Sequence, residues 1–433
     1  MQNDLTESVQ ASIRPGEMKD LYYPGETNVC KQAYPSVVTT RFVQNFTQLG
    51  AGSSQFVISP AQGISDIVLT FTLPTTAAGA NYTNAAVSSG WGYSLINRVS
   101  VRYGSSAQYF FTGPQMWLQN VMDAENNAKA DQMLQIGGAS LAGANPPSGS
   151  PAGLSGAQAN VYLKLPHNSC RASGKPLPFP SDLLVQPIVV TVELYSLQQI
   201  ITNQTGGATA PLATAPTALA AASMCVKQEM LTDSSDLLAR RVDMNSHAMT
   251  FPLPYFAQQE TTVSFTSDAN NGVNTLNLTG FRAGEVKNIV LWLTPTSLQS
   301  LATGNYQPLT WQPISDVQLT YNGEVFNRFD ATSFQLWNTV EDTKTPAVNG
   351  LVQANYAGAG VTTVVSPYIR LDLAQVSVPS ERESVLVHGK PVLNAVVQVQ
   401  FRAPAANTAY ILHAMYLYNA SLLCSRGSAE YIF

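Results

Sequence analysis

The feature that most constrains the fold is a weak duplication at an offset of about 220 residues. Residues 67–69 and residues 289–291 both read Ile-Val-Leu, and each segment runs into a proline. Other matches keep the same order in the two halves and predict two copies of one domain. The matched positions are Phe56 and Ile58 with Leu276 and Leu278; Trp91 with Trp311; Ile96, Val99, Val101 and Tyr103 with Ile314, Val317, Leu319 and Tyr321; Trp117 with Trp337; Asp123 with Asp342; 162–165 with 368–371; 174–176 with 389–391; and Ile188, Val190 and Val192 with Val397, Val399 and Phe401.

The apolar residues inside each copy recur with a period of two. Val99, Val101 and Tyr103 alternate with Ser100 and Arg102. This alternation is typical of strands that bury one face and expose the other. Pro, Gly, Asn and Ser cluster between the alternating segments, as turns require. Each copy therefore predicts an all-β domain of many short antiparallel strands, closed as a sandwich or a barrel.

Little helix is expected, and two long loops are. The best helix candidate is 123–135, where acidic residues come early and Gly137-Gly138 ends the pattern. Segments 137–163 and 194–226 contain no charged residue. We interpret them as ordered surface insertions that pack against neighbouring subunits, since no charge would have to be desolvated there. The alternative is a pair of flexible linkers.

Charge is sparse along the whole chain. Charged residues make up 11% of the sequence, against about 25% in a typical soluble domain. Coverage of the surface by other subunits would explain the difference. The net charge is −5 and no basic run occurs, which argues against direct nucleic-acid binding. No apolar stretch is long enough to span a membrane, and residues 1–10 do not resemble a secretory signal.

No pattern of residues indicates catalysis, a cofactor or a metal. The histidines and cysteines are scattered, without metal-ligand spacing. His413 alternates with apolar neighbours and is expected to be a packed or interface histidine, not a ligand. A His167–Cys170 pair has no acidic residue to orient the imidazole. The chain is therefore expected not to be an enzyme, and its thiols to be reduced and mostly buried. The residues considered are His167, His247, His388 and His413, and Cys30, Cys170, Cys225 and Cys424.

Two further motifs have a structural and a functional interpretation. The Gly-Lys-Pro segments 174–176 and 389–391 lack the remainder of a phosphate-binding loop, and proline follows each lysine. A sugar-stacking platform is one interpretation of the four matched tryptophans (Trp91, Trp117, Trp311 and Trp337). Their equivalent places in both copies favour a role in the core or between sheets.

Three stretches carry a resemblance to a known family. Segment 162–194 has a strand ending in Leu-Pro and then a turn and a long strand; segment 224–241 resembles a last strand with a basic end; segment 410–433 resembles a closing strand and tail. In order and spacing, from about Ser36 to the end, the chain resembles the double jelly-roll major capsid proteins of tectiviruses, iridoviruses, virophages and polinton-like viruses. Adenovirus hexon is a distant relative. The thin basic cluster and the Gly/Ala-rich loops depart from the family pattern.

The resemblance implies two tandem eight-stranded antiparallel jelly-roll β-sandwiches with long loop insertions. We expect an N-terminal arm at 1–35, a first jelly roll at 36–243 and a second at 244–433. A major capsid protein would form homotrimeric, pseudo-hexagonal capsomers that tile an icosahedral shell in the virion, assembled inside the host cell. Minor capsid or vertex proteins are implied partners, and the arm would face an internal membrane where one exists.

Two alternatives stay open on the sequence. Tandem jelly rolls also serve carbohydrate-binding and glycan-processing proteins, and fold alone does not separate these from a coat subunit. A minor vertex capsid protein of the same type of virus would also fit the pattern.

Overall fold

Antiparallel sheets make up most of both halves of the chain in the computed structural model. Within the described residues, no helix is both long enough and apolar enough to cross a membrane. The structure describes residues 37–60, 63–74, 85–87, 90–122, 132, 136–138, 152–153, 160–166, 171–172, 175–176, 179–205, 208–211, 216–231, 248–253, 257–270, 272–279, 285–301, 306–312, 314–329, 352–355, 362–365, 368–372, 390–391, 397–418 and 420–432.

Strands are numbered in chain order through both halves, and so are the α-helices whose bounds the structure gives. The first-half strands are β1 Val37–Asn45, β2 Gly52–Ile58, β3 Gly63–Thr72, β4 Ala85–Val87, β5 Ile96–Arg102, β6 Tyr109–Phe111, β7 Ala152–Gly153, β8 Asn160–Lys164, β9 Arg171–Ala172, β10 Lys175–Pro176, β11 Ile188–Leu194, β12 Ile201–Thr205, β13 Ala208–Pro211 and β14 Ala221–Leu231. The second-half strands are β15 Met249–Leu253, β16 Ala257–Thr266, β17 Asn274–Leu278, β18 Glu285–Pro295, β19 Ser315–Tyr321, β20 Glu324–Phe329, β21 Val352–Asn355, β22 Thr362–Val365, β23 Tyr368–Asp372, β24 Lys390–Pro391, β25 Val397–Arg402, β26 Ala409–Tyr418, β27 Ala420–Ser425 and β28 Ser428–Ile432. The helices are α1 Trp91–Ser94, α2 Gly113–Met122 and α3 Leu197–Ile200, with 3-10 turns at Ser181–Leu183 and Thr296–Leu298.

Both halves have the same strand order. In the first, the two large sheets run β1-β14-β3-β8 and β2-β11-β5-β6; in the second they run β16-β26-β18-β23 and β17-β25-β19-β20. When only the eight strands of the two large sheets are counted in chain order, each half gives the orders 1-8-3-6 and 2-7-4-5. Successive strands thus alternate between the two sheets, except that the fourth and fifth strands pair with each other in one sheet, and this is the jelly-roll arrangement. The prediction of two tandem all-β jelly rolls is confirmed. The exact number of strands in each stays a prediction, because short strands such as β24 also attach.

The sheets of each half enclose an aromatic and aliphatic core. In the first sandwich Phe46 contacts Phe56 and Phe71, with ring centroids 4.8 and 5.6 Å apart, and these two side chains come from opposite sheets. In the second, Phe265 and Phe401 join the two sheets edge to face at 5.4 Å. The alternation of the sequence produces this arrangement, because every second side chain of a strand faces the same side.

The sequence duplication coincides with structural equivalence. Residues 67–69 lie in β3 and 289–291 in β18, the third strand of each jelly roll. Segments beginning at Tyr162 and Tyr368 form the sixth strands, β8 and β23. The large-sheet strands of the first half lie within 37–231 and those of the second within 257–418. The limits 36–243 and 244–433 stay predictions, and the arm 1–35 lies outside the described residues.

The two predicted loops contain more regular structure than we expected. Segment 194–226 holds α3, the β12–β13 hairpin and the first half of β14. Strand β7, inside segment 137–163, joins β4, β12 and β13 in a separate four-stranded sheet. The interpretation as loops was therefore wrong for these parts, because small residues such as Ala and Thr formed strands without the expected alternation. The interpretation as ordered insertions holds for them.

The main helix lies beside the predicted one, not within it. Helix α2 covers Gly113–Met122, and all ten of its residues are buried. A helix that is apolar or buried all round shows no amphipathic stripe, and this one lacks acidic residues in its first turn. The usual sequence signals were therefore absent. Of the candidate 123–135, only Gln132 lies within the described residues, where it is helical.

Candidate functional site

Of the histidines and cysteines that the structure describes, His413 is packed against an indole, Cys424 is buried and Cys225 is half-buried. His413 Nε2 lies 2.8 Å from Thr294 Oγ1, and its ring stacks on Trp292 at 5.0 Å, as its alternation predicted. Cys225 and Cys424 form no disulfide. Burial raises the pKa of the Cys424 thiol to about 12, so it carries little thiolate near neutral pH. His167, His247, His388, Cys30 and Cys170 lie outside the described residues.

Metal and phosphate sites also find no support in the described part of the chain. Its His, Cys, Asp and Glu residues include no group of three that could hold a metal ion. Lys175–Pro176 forms strand β10, and Lys390–Pro391 forms strand β24 against β18. A phosphate loop leads into a helix N-terminus, whereas both of these segments are extended.

A buried aromatic cluster, which we call the tryptophan junction, joins the two halves. It consists of Trp117 in α2, Trp292 in β18, Tyr368 in β23 and Trp311, which precedes β19. The Trp311 ring lies 4.5 Å from Trp117, 5.4 Å from Trp292 and 6.2 Å from Tyr368. Its indole N–H donates to the Pro308 carbonyl at 2.9 Å. The first sandwich therefore contacts the second through the edge-to-face contact of Trp117 with Trp311, and Trp311 stacks on Trp292 within the second half.

These positions decide the role of the matched tryptophans. Trp91, Trp117 and Trp311 are all buried, so none presents a ring face to a sugar. The expected core or inter-sheet role is confirmed for these three, and Trp337 lies outside the described residues. Trp292 was missed from the sequence. Its signal was the unbroken apolar run 289–293, which indicates a strand buried on both faces.

The C-terminal hairpin forms a second contact between the halves, the hairpin junction, made by β27–β28 and the first sandwich. The Ala429 backbone N–H donates to Ser105 Oγ at 3.0 Å, and Ser105 Oγ donates to the Ala429 carbonyl at 3.3 Å. Tyr431 packs edge to face on Tyr109, with centroids 6.1 Å apart. The Val185 backbone N–H donates to the Gly427 carbonyl at 3.0 Å. Two separate junctions thus hold the sandwiches in one relative orientation.

The outer face of the second sandwich, the side of β16-β26-β18-β23 turned away from its own core, lies beneath the tryptophan junction. One row of side chains crosses it, because Tyr368 pairs with Trp292, Trp292 with His413, and His413 with Thr262. Tyr368 and Trp292 are each only 1% exposed. Burial raises the pKa of Tyr368 well above its usual value. This face is therefore closed to water along much of its width.

The equivalent face of the first sandwich, on β1-β14-β3-β8, is open. Its matching row joins Tyr162 to Thr70, Thr70 to Ser223, and Ser223 to Asn45. Tyr162 occupies the same place as Tyr368 but is 45% exposed. The neighbouring row contains Val68, half-buried Cys225 and Val43, which is 57% exposed. One face of a repeated pair is thus covered within the chain, while its counterpart is exposed.

The two sandwiches have the same strand order and are joined by two buried junctions in one chain. This arrangement defines a double jelly-roll protein. Solved capsid structures share this fold. VP54 of PBCV-1, fitted into a reconstruction of the virophage Sputnik, is 14% identical, with a TM-score of 0.60 over 92% of this chain and 97% of that chain. A quasi-atomic model of the PBCV-1 capsid is 13% identical, with a TM-score of 0.58 over 92% and 97%. The Faustovirus major capsid protein is 10% identical, with a TM-score of 0.50 over 97% and 98%. No protein-family model and no curated protein sequence matches the chain.

Proposed function

We propose that this chain is the major subunit of an icosahedral viral coat and that three copies form a pseudo-hexagonal capsomer. The observation that carries the proposal is the identical strand order of the two halves. Three chains of this kind supply six nearly equivalent sandwiches, which fits a six-sided outline. The near-complete coverage of viral capsid proteins, in both directions, supports a capsid role.

The proposed mechanism is assembly of many copies. Assembly requires a rigid subunit and a surface with few charges, and this chain has both. A coat subunit needs rigid geometry, which the tryptophan and hairpin junctions supply within one chain. It also needs surfaces that other copies can cover without desolvating many charges, and only 11% of the residues are charged. An obligate trimer interface would bury about 2,000 Å² or more. Contacts between capsomers would be smaller and more polar.

Further partners belong to the same proposal. The capsomer would contact its neighbours and minor capsid or vertex proteins in the virion, after assembly in the host cell. Residues 1–35 would face an internal membrane in a virus that has one. The acidic net charge of −5 supports a shell that does not bind nucleic acid directly. The proposed role requires no catalysis.

A carbohydrate-binding protein is the main alternative. Stacking on sugars needs exposed aromatic faces, and the large buried rings of the tryptophan junction do not offer them. A minor vertex protein differs from the major subunit in copy number, which a particle would reveal.

Light scattering coupled to size-exclusion chromatography tests the proposal on the full chain. We expect a mass of three times 46.4 kDa and, by negative-stain microscopy, particles with a pseudo-hexagonal outline. A glycan array provides the contrasting measurement. Monomers at every concentration that bind glycans would overturn the coat function and support the carbohydrate-binding alternative.

A further inference from the structure

The difference between the two outer faces is a structural asymmetry within a repeat. Tyr368 is buried within the tryptophan junction, where its ring contacts Trp311, while the equivalent Tyr162 is 45% exposed. Strand pairing establishes the equivalence independently of sequence matching. Tyr162 pairs with Thr70 of the third strand, and Tyr368 pairs with Trp292 of the other third strand.

The contact inside the chain is heterologous, because different surfaces of the two sandwiches meet. The first sandwich contributes α2 with Trp117, and the second contributes Trp311, which lies on the Trp292 and Tyr368 rings of its outer face. A heterologous contact that repeats between similar units generates a closed ring when its rotation closes and an open filament when it does not. The internal contact covers part of the outer face of the second sandwich, whereas Tyr162 and Val43 on the outer face of the first stay exposed.

We infer that the outer face around Tyr162 binds the second sandwich of another copy of this chain. This inference rests on the proposed coat function and specifies which face of the capsomer subunit closes the trimer. The contact would place another chain over Tyr162 in the way that the tryptophan junction covers Tyr368 within the chain. Sandwiches would then alternate, first and second, around the ring.

The chemistry of the face suits a contact between chains. Tyr162, Val68 and Val43 supply apolar area, and Tyr is among the residues enriched in interface cores. Thr70 and Ser223 supply hydroxyl groups where the covered face has Trp292 and His413. An ion pair, Lys164 Nζ to Asp66 Oδ1 at 3.1 Å, neutralises charge at the edge of the face. A surface of this mixed composition tolerates water before assembly.

Cys225 reports on the face without any substitution in it. We propose maleimide labelling of the native oligomer, with each cysteine followed separately by mass spectrometry. The reference thiol is a Val57→Cys variant. Val57 is 47% exposed, and its counterpart in the second sandwich, Asn277, is also exposed. In the oligomer, Cys225 should react at least about tenfold more slowly than the thiol at position 57.

A charged substitution tests the contact itself. Tyr162→Arg places a cation at the centre of the inferred interface, and should raise the concentration for half dissociation at least about tenfold. Val57→Arg is the matched control, because it adds the same charge to an exposed apolar position on the other sheet. It should leave the oligomer mass unchanged. Circular dichroism establishes that both variants are folded.

The possible outcomes distinguish the inferred contact face from the proposed coat function. Protection of Cys225 in the wild-type oligomer, lost in Tyr162→Arg, supports the inferred face. A trimer of the Val57→Cys variant in which Cys225 and the position-57 thiol react equally would overturn the inference and leave the coat function standing. The labelling comparison decides this even where Tyr162→Arg fails to fold. A wild-type chain that stays monomeric would overturn both.

Discussion

Trp117 and Trp311 should be energetically coupled, although they are about 190 residues apart in sequence and belong to different sandwiches. Their rings meet edge to face at 80°, with centroids 4.5 Å apart. Pairs with this geometry contribute about 0.5–1.5 kcal/mol beyond the burial of their area. A double-mutant cycle of Trp117→Ala and Trp311→Ala should therefore show a coupling free energy in that range.

Each single substitution is expected to be costly. Removing a buried indole destabilises a protein by about 3–5 kcal/mol, against a total of about 5–15 kcal/mol for typical native proteins. Trp311→Ala also leaves the Pro308 carbonyl without its indole donor. Trp311 contacts both Trp117 and Trp292. Its loss removes this link between the halves, so we expect the first and second sandwiches to unfold less cooperatively.

The assay is guanidinium unfolding at one fixed chain concentration, followed by circular dichroism in the far ultraviolet. This signal avoids the change in tryptophan fluorescence that the substitutions themselves cause. The control cycle combines Trp311→Ala with Phe56→Ala, since Phe56 contacts Phe46 inside the first sandwich. Distant sites add within about 0.3–0.5 kcal/mol. A coupling free energy no larger in the Trp117–Trp311 cycle than in the control cycle would refute the coupling through the tryptophan junction.

Two further predictions concern the backbone and the pH. Gly427 has φ +80° and a Cβ there would clash with Val185, whereas Gly323 has φ +85° and open space. Gly427→Ala should therefore lower the unfolding free energy by about 1–3 kcal/mol more than Gly323→Ala, and equal losses in chemical unfolding would contradict this. Burial raises the pKa of Tyr93 and Tyr416 to about 12, above the value of about 10 in unfolded chains. Their contribution to stability is complete below pH 10 and falls by about 1.4 kcal/mol per pH unit per tyrosine as the pH rises towards 12; a Tyr93→Phe variant with an unchanged slope would show that this burial has no such effect.

The strands were predictable because their pattern is local and repeated. Val99 and Val101 alternate with polar residues, and their counterparts Val317 and Leu319 do so in the second half. Alternation determines which side chains face a core, and repetition identifies equivalent strands. The jelly-roll order itself came from resemblance, because alternation does not say which strands pair.

Contacts between the sandwiches were not predictable in the same way. Trp117 lies in a helix without an amphipathic stripe, and Trp311 lies outside the large-sheet strands. Their meeting depends on how two finished domains pack, and one sequence contains no direct signal of that. The unbroken apolar run around Trp292 did indicate burial on both faces, without identifying what covers the strand.

The divergence between the two outer faces follows from when each becomes covered. The face bearing Trp292 and Tyr368 is covered inside its own chain, so large aromatic rings there meet water only in the unfolded state. A face covered by another chain must stay soluble in the folded subunit until assembly, which favours Thr70 where its counterpart has Trp292. Large exposed apolar patches cause aggregation in monomers. Burial of Trp292 on folding permits an indole there. Burial of the equivalent Thr70 only on assembly would instead favour a hydroxyl group.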